Sequence, residues 1–167
     1  MIPLLDTHQH LVLPDVCAYP LIDNKPELAE QAFTNENYAA LTKGVAVAGR
    51  IFMETGADDA DYQREARHVA ALAKAPNSGL LGVIASCRPE TDRGFSAWLE
   101  EGDRIGFLGY RRLLHKVDDG LSRSDIFRKN INRIGARAKP FDLCLFERQL
   151  PIATELAEGQ DDSMGFR

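Results

Sequence analysis

Apolar positions along the chain fall in short runs separated by stretches of helical spacing. Residues 2–6 form a brief apolar run ending in polar residues, the pattern of a buried strand whose C-terminal end carries function. Thr34-Asn35-Glu36-Asn37 offers an N-cap and predicts a short helix to about Thr42. Residues 47–53 predict a second strand, ending at Glu54-Thr55-Gly56. Between Asp58 and Lys74, Ala66, Val69, Ala70 and Ala73 recur at helical spacing, and Pro76 stops the run. Residues 80–85 read as a third strand, 95–99 as a short helix and 105–110 as a fourth strand ending at Arg111. Ser122 or Ser124 can cap a helix to about Ala138, with Ile126, Phe127, Ile131 and Ile134 on its apolar stripe. Residues 141–146 predict a fifth strand, and 150–158 a fifth helix with Pro151 in its first turn.

Strand and helix thus alternate five times, and strands two to five begin roughly 30 residues apart, the length of a βαβ unit. Such alternation implies a parallel sheet covered by helices. Two folds compete, an open doubly wound sheet and a (β/α)8 barrel. The first turn separates them. A nucleotide-binding open sheet carries a Gly-rich phosphate loop after its first strand, and here no Gly occurs between Met1 and Lys43. Two histidines follow the first strand instead, which suits a barrel with catalytic groups on its strand ends. Pro14, Pro20 and Pro26 punctuate a long loop, a length usually associated with function. The expected class is therefore α/β, a partial TIM (β/α)8 barrel. A complete barrel takes about 250 residues. The reading expects about five βα units in residues 1–158, the C-terminal strands missing, and a polar tail in residues 159–167 that lacks the β-branched residues of a sixth strand. The alternative is a natural five-stranded domain.

Composition narrows the class without changing it. The chain is 44% hydrophobic and 27% charged, as ordinary globular domains are. No window approaches 18 consecutive apolar residues, so no transmembrane helix is expected. The N-terminus lacks the basic region of a signal peptide, which makes the cytoplasm the default location. A net charge of −5 argues against a nucleic-acid surface. Charge is uneven, with 11 Lys or Arg against 5 Asp or Glu between Arg104 and Arg148. Arg128, Lys129, Arg133 and Arg137 read as solvated helix faces. Cys17, Cys87 and Cys144 lack zinc-knuckle or redox spacing and read as reduced thiols, two of them buried in strands.

Side chains alternate along a strand with period two, so Asp6, His8 and His10 face one way, with Ile2 and Leu4 deeper on the same side as barrel filling. Two imidazoles so spaced can approach one metal ion, and neutral imidazole suits zinc and its neighbours. They can equally bind a carboxylate or polarise a carbonyl without metal.

Asp6-Thr7-His8-Gln9-His10 resembles the opening motif of the amidohydrolase-related family, within the TIM-barrel metal-dependent hydrolases. Phe52-Met53-Glu54-Thr55-Gly56, Gly109-Tyr110-Arg111-Arg112-Leu113-Leu114-His115 and Lys139-Pro140-Phe141-Asp142-Leu143 are similar to its sugar-lactone and pyrone-dicarboxylate lactonase branch. The resemblance runs from about Pro3 to Glu158. It implies hydrolysis of a small carboxylated or sugar lactone at its C–O bond. His8 and His10 would polarise the carbonyl, directly or as ligands of one divalent metal such as zinc. The family's remaining groups, a His near the end of strand five or six and an Asp base at the end of strand eight, have no counterpart in this sequence.

Glu54, ending strand two, is a candidate to orient a ligand or a histidine, or else an exposed loop acid. Arg111 is assigned to a substrate carboxylate or lactone carbonyl, which a guanidinium clamps in two places, while Arg112 points into the helical layer. His115 and Arg148 are further substrate-binding candidates, with Gln149 beside Arg148. His68 reads as structural or surface. Tyr19 is either part of a lid or simple packing. Ser86 has no nearby base and carries no nucleophile assignment. Two alternatives stand beside lactone hydrolysis. One is a metal-dependent decarboxylase of the same family. The other is a catalytically inactive or partner-dependent barrel fragment, self-associating through exposed strand edges.

Overall fold

The computed structural model describes residues 2–20, 22, 25 and 32–158. Its elements are β1 (Leu4–Gln9), α1 (Asn35–Leu41), β2 (Val47–Met53), α2 (Tyr62–Ala73), β3 (Leu80–Ser86), α3 (Phe95–Ile105), β4 (Gly109–Leu113), α4 (Asp125–Gly135), β5 (Phe141–Cys144) and α5 (Leu150–Glu158). One sheet holds the strands in the order β1-β2-β3-β4-β5. The β1–β2, β2–β3 and β4–β5 pairs are parallel. Parallel neighbours need a crossover, usually a helix, and one helix lies between each strand and the next. The architecture is that of a partial TIM barrel. The chain divides into two compact units, Met1–Ser86 with Ile105–Phe107, and Cys87–Arg104 with Leu108–Arg167.

In the first unit β3 is buried at every position except Leu81, as a parallel strand covered on both faces should be. The helix α2 buries Ala66, Val69 and Ala70 together with Glu65. It starts later than its apolar spacing suggests, because a turn in which Asp58 accepts from the Ala60 N–H at 2.9 Å precedes it. The Thr34 cap closes a capping box with Asn37 at the start of α1, a helix that buries no residue. Val12, Cys17, Tyr19 and Ala57 form a small core against Val16, Ile22 and Phe33. Tyr19 is therefore a packing residue, and its pKa is pushed well up, first by burial and then by the charge of Glu65. Ile2 and Leu4 depart from the expected barrel filling, at 93% and 52% exposure.

In the second unit α3 is longer than the short helix expected, and β4 starts later. Glu100, Glu101 and Arg104 are good helix formers, and the turn continues to Ile105 until Gly106, at φ +94°, supplies the left-handed residue that ends helices. Residues 105–108 thus belong to a helix end and its exit, and Arg111 sits inside β4 rather than beyond it. Ser124 caps α4, its hydroxyl accepting from Phe127 N–H at 3.2 Å. Phe127, Ile131 and Ile134 form the buried stripe, while Ile126 lies off it at 44% exposure. Leu114, Phe127, Ile131, Ile152 and Leu156 make the core of this unit, each worth about 1.5–3 kcal/mol of transfer free energy when fully buried. The helix-face cations are tied rather than merely solvated: Arg133 pairs with Asp92 at 2.6 Å, Lys129 with Asp92 at 3.5 Å, Arg137 with Asp103 at 3.1 Å and Arg128 with Glu155 at 4.0 Å. The strand β5 stops at Cys144 because the chain turns back there. Gln149 Oε1 accepts from Phe146 N–H at 2.9 Å, fastening a one-turn helix of Glu147–Gln149.

The thiols also differ from expectation. The two buried cysteines, Cys17 and Cys87, lie outside strands, whereas Cys144 lies in β5 and is half-buried. Packing of the first loop and of the exit from β3 decides this, not strand periodicity. The expected tail of residues 159–167 lies outside the described residues. Among the described residues no helix is long and apolar enough to cross a membrane.

Candidate functional site

The strand β1 carries register shifts against β2. Asp6 is opposite Arg50 and Gln9 opposite Phe52, so three steps on β1 match two on its partner. A bulge of this kind re-aims the side chains beside it. Gln9 is turned inward and buried, while His8 and His10, both exposed, bring their Nε2 atoms to 3.2 Å from each other. The rings meet edge to face, centroids 4.9 Å apart.

A second bond sets which His10 nitrogen is offered. His10 Nδ1 lies 2.9 Å from the carbonyl oxygen of Met53, at the end of β2. A carbonyl only accepts, so Nδ1 carries the proton and Nε2 presents its lone pair. This is the outer bond that metal-binding histidines ordinarily make. Two nitrogens held about 2.0–2.1 Å from one tetrahedral zinc stand about 3.3 Å apart, and the observed 3.2 Å matches. The pair therefore fits a divalent metal and would supply two of its donors. Among the described residues no group of three or more His, Cys, Asp or Glu side chains is gathered in metal-binding range.

Asp6 works on the backbone of this segment. Its Oδ1 accepts from the His8 N–H at 3.0 Å and its Oδ2 from the Tyr38 hydroxyl at 2.8 Å. The His8 bond is the main reason that its carboxyl titrates below the usual range; the Tyr38 bond and the charges of His8 and Arg50 add to it, and partial burial opposes. Tyr38 is shifted the other way, by burial first and then by its bond to the carboxylate. The Arg50 guanidinium stacks on the Tyr38 ring, 4.7 Å from its centroid, and donates to Ser78 O. Sequence reading missed Tyr38 and Arg50. The one available signal was an acid two residues before His8, which needs donors once it is drawn into a sheet.

Glu54 is 1% exposed, so it is not a loop acid in solvent; its Oε2 accepts from Gly56 N–H at 3.0 Å. Gly56 adopts φ +81°, which turns the chain tightly enough for that bond. Ser86, ending β3, is buried. His68 is half-buried in α2.

The second unit holds the remaining candidates. Arg111 and Arg112 are adjacent in β4 and both 9% exposed, and they point to different partners. Arg112 pairs with Glu90 at 2.5 Å. The Arg111 Nη2 donates to Cys144 Sγ at 2.8 Å. His115 Nδ1 lies 3.3 Å from both the Cys144 carbonyl oxygen and its Sγ, and its ring packs 4.8 Å from Phe146. The structure thus brings Arg111 and His115 together around one sulfur, a grouping no sequence spacing announces. Arg148 is exposed and pairs with Asp119 at 2.7 Å, while Gln149 Nε2 donates to the same carboxylate at 2.6 Å and to Leu114 O at 3.3 Å.

No family model matches the sequence, and no curated protein sequence matches it. Solved structures do match. An amidohydrolase from Burkholderia multivorans, crystallised with bound HEPES, superposes with a TM-score of 0.78 at 18% identity, covering 96% of this chain and 54% of that one. The same bacterium's enzyme in a second crystal form, with bound zinc, gives 0.72 at 16% identity over 96% and 55%. Amidohydrolase 2 from Bifidobacterium longum subsp. infantis gives 0.70 at 22% identity over 95% and 57%. A probable 2-pyrone-4,6-dicarboxylic acid hydrolase from Acinetobacter baumannii, with citric acid bound, gives 0.61 at 14% identity over 84% and 48%. The chain shares the fold of these amidohydrolases and spans about half of their length.

Proposed function

We propose that this chain is part of a hydrolase of the amidohydrolase-related family, acting in a complete barrel on a small lactone that bears a carboxylate or sugar hydroxyls. The observation that carries the reading is the 3.2 Å approach of His8 Nε2 to His10 Nε2, with His10 fixed from behind by Met53 O. The pair is aimed at a single point, where the scissile carbonyl oxygen would be polarised. A divalent metal such as zinc, when held by His8 and His10, supplies Lewis-acid polarisation at that point. Asp6 holds the His8 main chain, and Tyr38 holds Asp6, so the backbone that carries the imidazole is tied. Glu54 shapes the turn after β2 through Gly56.

In the second unit Arg111 is assigned to a carboxylate group, the guanidinium being suited to a planar anion. His115 and Arg148 of that unit are assigned as further contacts to a small ligand. The water-activating base is expected from a later strand of the complete barrel. The substrate is a small molecule, neither nucleic acid nor membrane, and the compartment is the cytoplasm.

The test is zinc titration of the full chain by calorimetry, paired with hydrolysis assays on carboxylated and sugar lactones. His8→Ala with His10→Ala should abolish zinc binding and any lactone turnover. Unchanged zinc binding in the double variant would remove the assigned role. Release of carbon dioxide from an aromatic acid, without lactone hydrolysis, would point instead to a decarboxylase. The exposure of Leu4 and Leu5 on β1, at 52% and 48%, favours a second reading, a partner-dependent or inactive unit. A folded parent chain that binds no zinc would support it.

A further inference from the structure

The second unit gathers three reactive side chains, from β4, from the turn that follows it, and from β5. We propose that Cys144 is a modification site for small hydroperoxides, oxidised to a sulfenic acid held by Arg111 and His115. This inference does not rest on the hydrolase reading.

The contacts are directional. Arg111 Nη2, 2.8 Å from Cys144 Sγ, has protons to give and no lone pair to offer. His115 Nδ1 stands 3.3 Å from the Cys144 carbonyl oxygen, which can only accept, so Nδ1 carries a proton there. The same N–H is 3.3 Å from Sγ. Arg111 therefore donates to the sulfur as a permanent cation, and His115 Nδ1 lies equally close to the carbonyl oxygen and to Sγ. Cationic N–H surroundings with partial exposure are those in which reactive cysteines occur, since the thiolate is the nucleophile.

The other two cysteines provide an internal contrast. Cys87 is 0% exposed and its thiol donates to the Arg111 carbonyl at 3.8 Å. Cys17 is 3% exposed, and burial followed by the Glu65 charge pushes its thiol up against an opposing hydrogen bond from Arg64. Cys144 alone among the three is half-buried.

The step balances with one hydroperoxide. The Cys144 thiolate attacks one peroxide oxygen, an S–O bond forms, and the O–O bond breaks. With hydrogen peroxide the hydroxide that leaves takes a proton from solvent and becomes water. Sulfur loses two electrons and the peroxide gains them, giving Cys–SOH. The new oxygen is an acceptor, formed on a sulfur that the Arg111 guanidinium already contacts.

The full chain is exposed to hydrogen peroxide at equal concentration, the sulfenic acid is trapped with dimedone, and peptides are mapped by mass spectrometry. Label is expected on Cys144 and not on Cys17 or Cys87, forming at least about tenfold faster than on free glutathione. Arg111→Met should slow it at least about fivefold and Arg111→Lys should restore most of the rate, since a cationic donor returns. Labelling of the parent in urea removes dependence on whether the variants fold. There the Cys144 rate should drop to that of glutathione. A native rate no faster than in urea, or a folded Arg111→Met chain reacting like the parent, would overturn the proposal.

Discussion

The Nδ1 atom of His10 and the carbonyl oxygen of Met53 are 2.9 Å apart, so the end of β2 dictates which face of an imidazole after β1 is offered outward. The two jobs of this ring can be separated by substitution. Asn at position 10 keeps a donor near Nδ1 but has nothing at the Nε2 position. His10→Asn is expected to unfold in urea within about 0.5 kcal/mol of the parent, and His10→Ala to lose about 1 kcal/mol, the net worth of one hydrogen bond. Both should weaken zinc binding more than about tenfold. An Asn variant that binds zinc like the parent would show that Nε2 of His10 is not a ligand.

Glu54 raises a related question about a buried acid. At 1% exposure its carboxylate accepts from Gly56 N–H at 3.0 Å, within the same tight turn. Glu54→Gln preserves an acceptor of the same shape and should cost less than about 1 kcal/mol. Glu54→Ala leaves the Gly56 donor without that acceptor and opens a void, and should cost about 2–3 kcal/mol in urea denaturation. Equal losses in the two variants would mean that the hydrogen bond contributes nothing specific.

What the chain's pattern reveals follows what each signal depends on. Period-two spacing is local, so the shared direction of His8 and His10 could be read from five residues, and the short distance between their rings agrees with it. The strand β2 and helix α5 match their apolar patterns end to end. The start of β4 was misplaced because Ile105, Phe107 and Leu108 look strand-like, while the deciding residue is Gly106 in a left-handed conformation at the end of α3. Tyr38 meets Asp6 across 32 residues, and Cys144 meets Arg111 across 33. Contacts of that range are set by the order of strands in the sheet, and no spacing in the sequence encodes them.

Acid should loosen the second unit through its surface carboxylates. Asp92 is held below its ordinary pKa first by the bond from Arg133, Asp119 by the bond from Gln149, and Glu155 by the bond from Arg123, whose Nε lies 2.7 Å away. Each folded-state value is thus depressed relative to the unfolded chain. Groups shifted in this direction contribute stability above their unfolded values, about pH 4, and that stability is lost as pH falls through the lower folded values. Urea midpoints are therefore expected to be level near neutrality and to decline below about pH 5. Because the carboxylates are exposed, added salt should flatten the decline. Glu155→Gln should flatten it too, and a profile unchanged by that substitution would show that this pair carries none of the effect.

Strand edges give the last expectation. β1 and β5 stand at the two ends of the strand order, and β1 carries Leu4 and Leu5 at 52% and 48% exposure. An edge strand offers a row of N–H and C=O groups to any chain that can extend it, and apolar side chains on that edge add a hydrophobic incentive. Self-association through these edges is the expected behaviour of the chain in solution. Sedimentation velocity should show the weight-average mass rising between about 1 and about 100 μM. A lysine on the edge is the usual protection against such pairing, so Leu4→Lys with Leu5→Lys should lower the association while leaving the circular dichroism spectrum in place. A parent chain that stays monomeric across the range would contradict the edge reading. Association that survives both lysines would move it from β1 to β5, whose four residues are all half-buried.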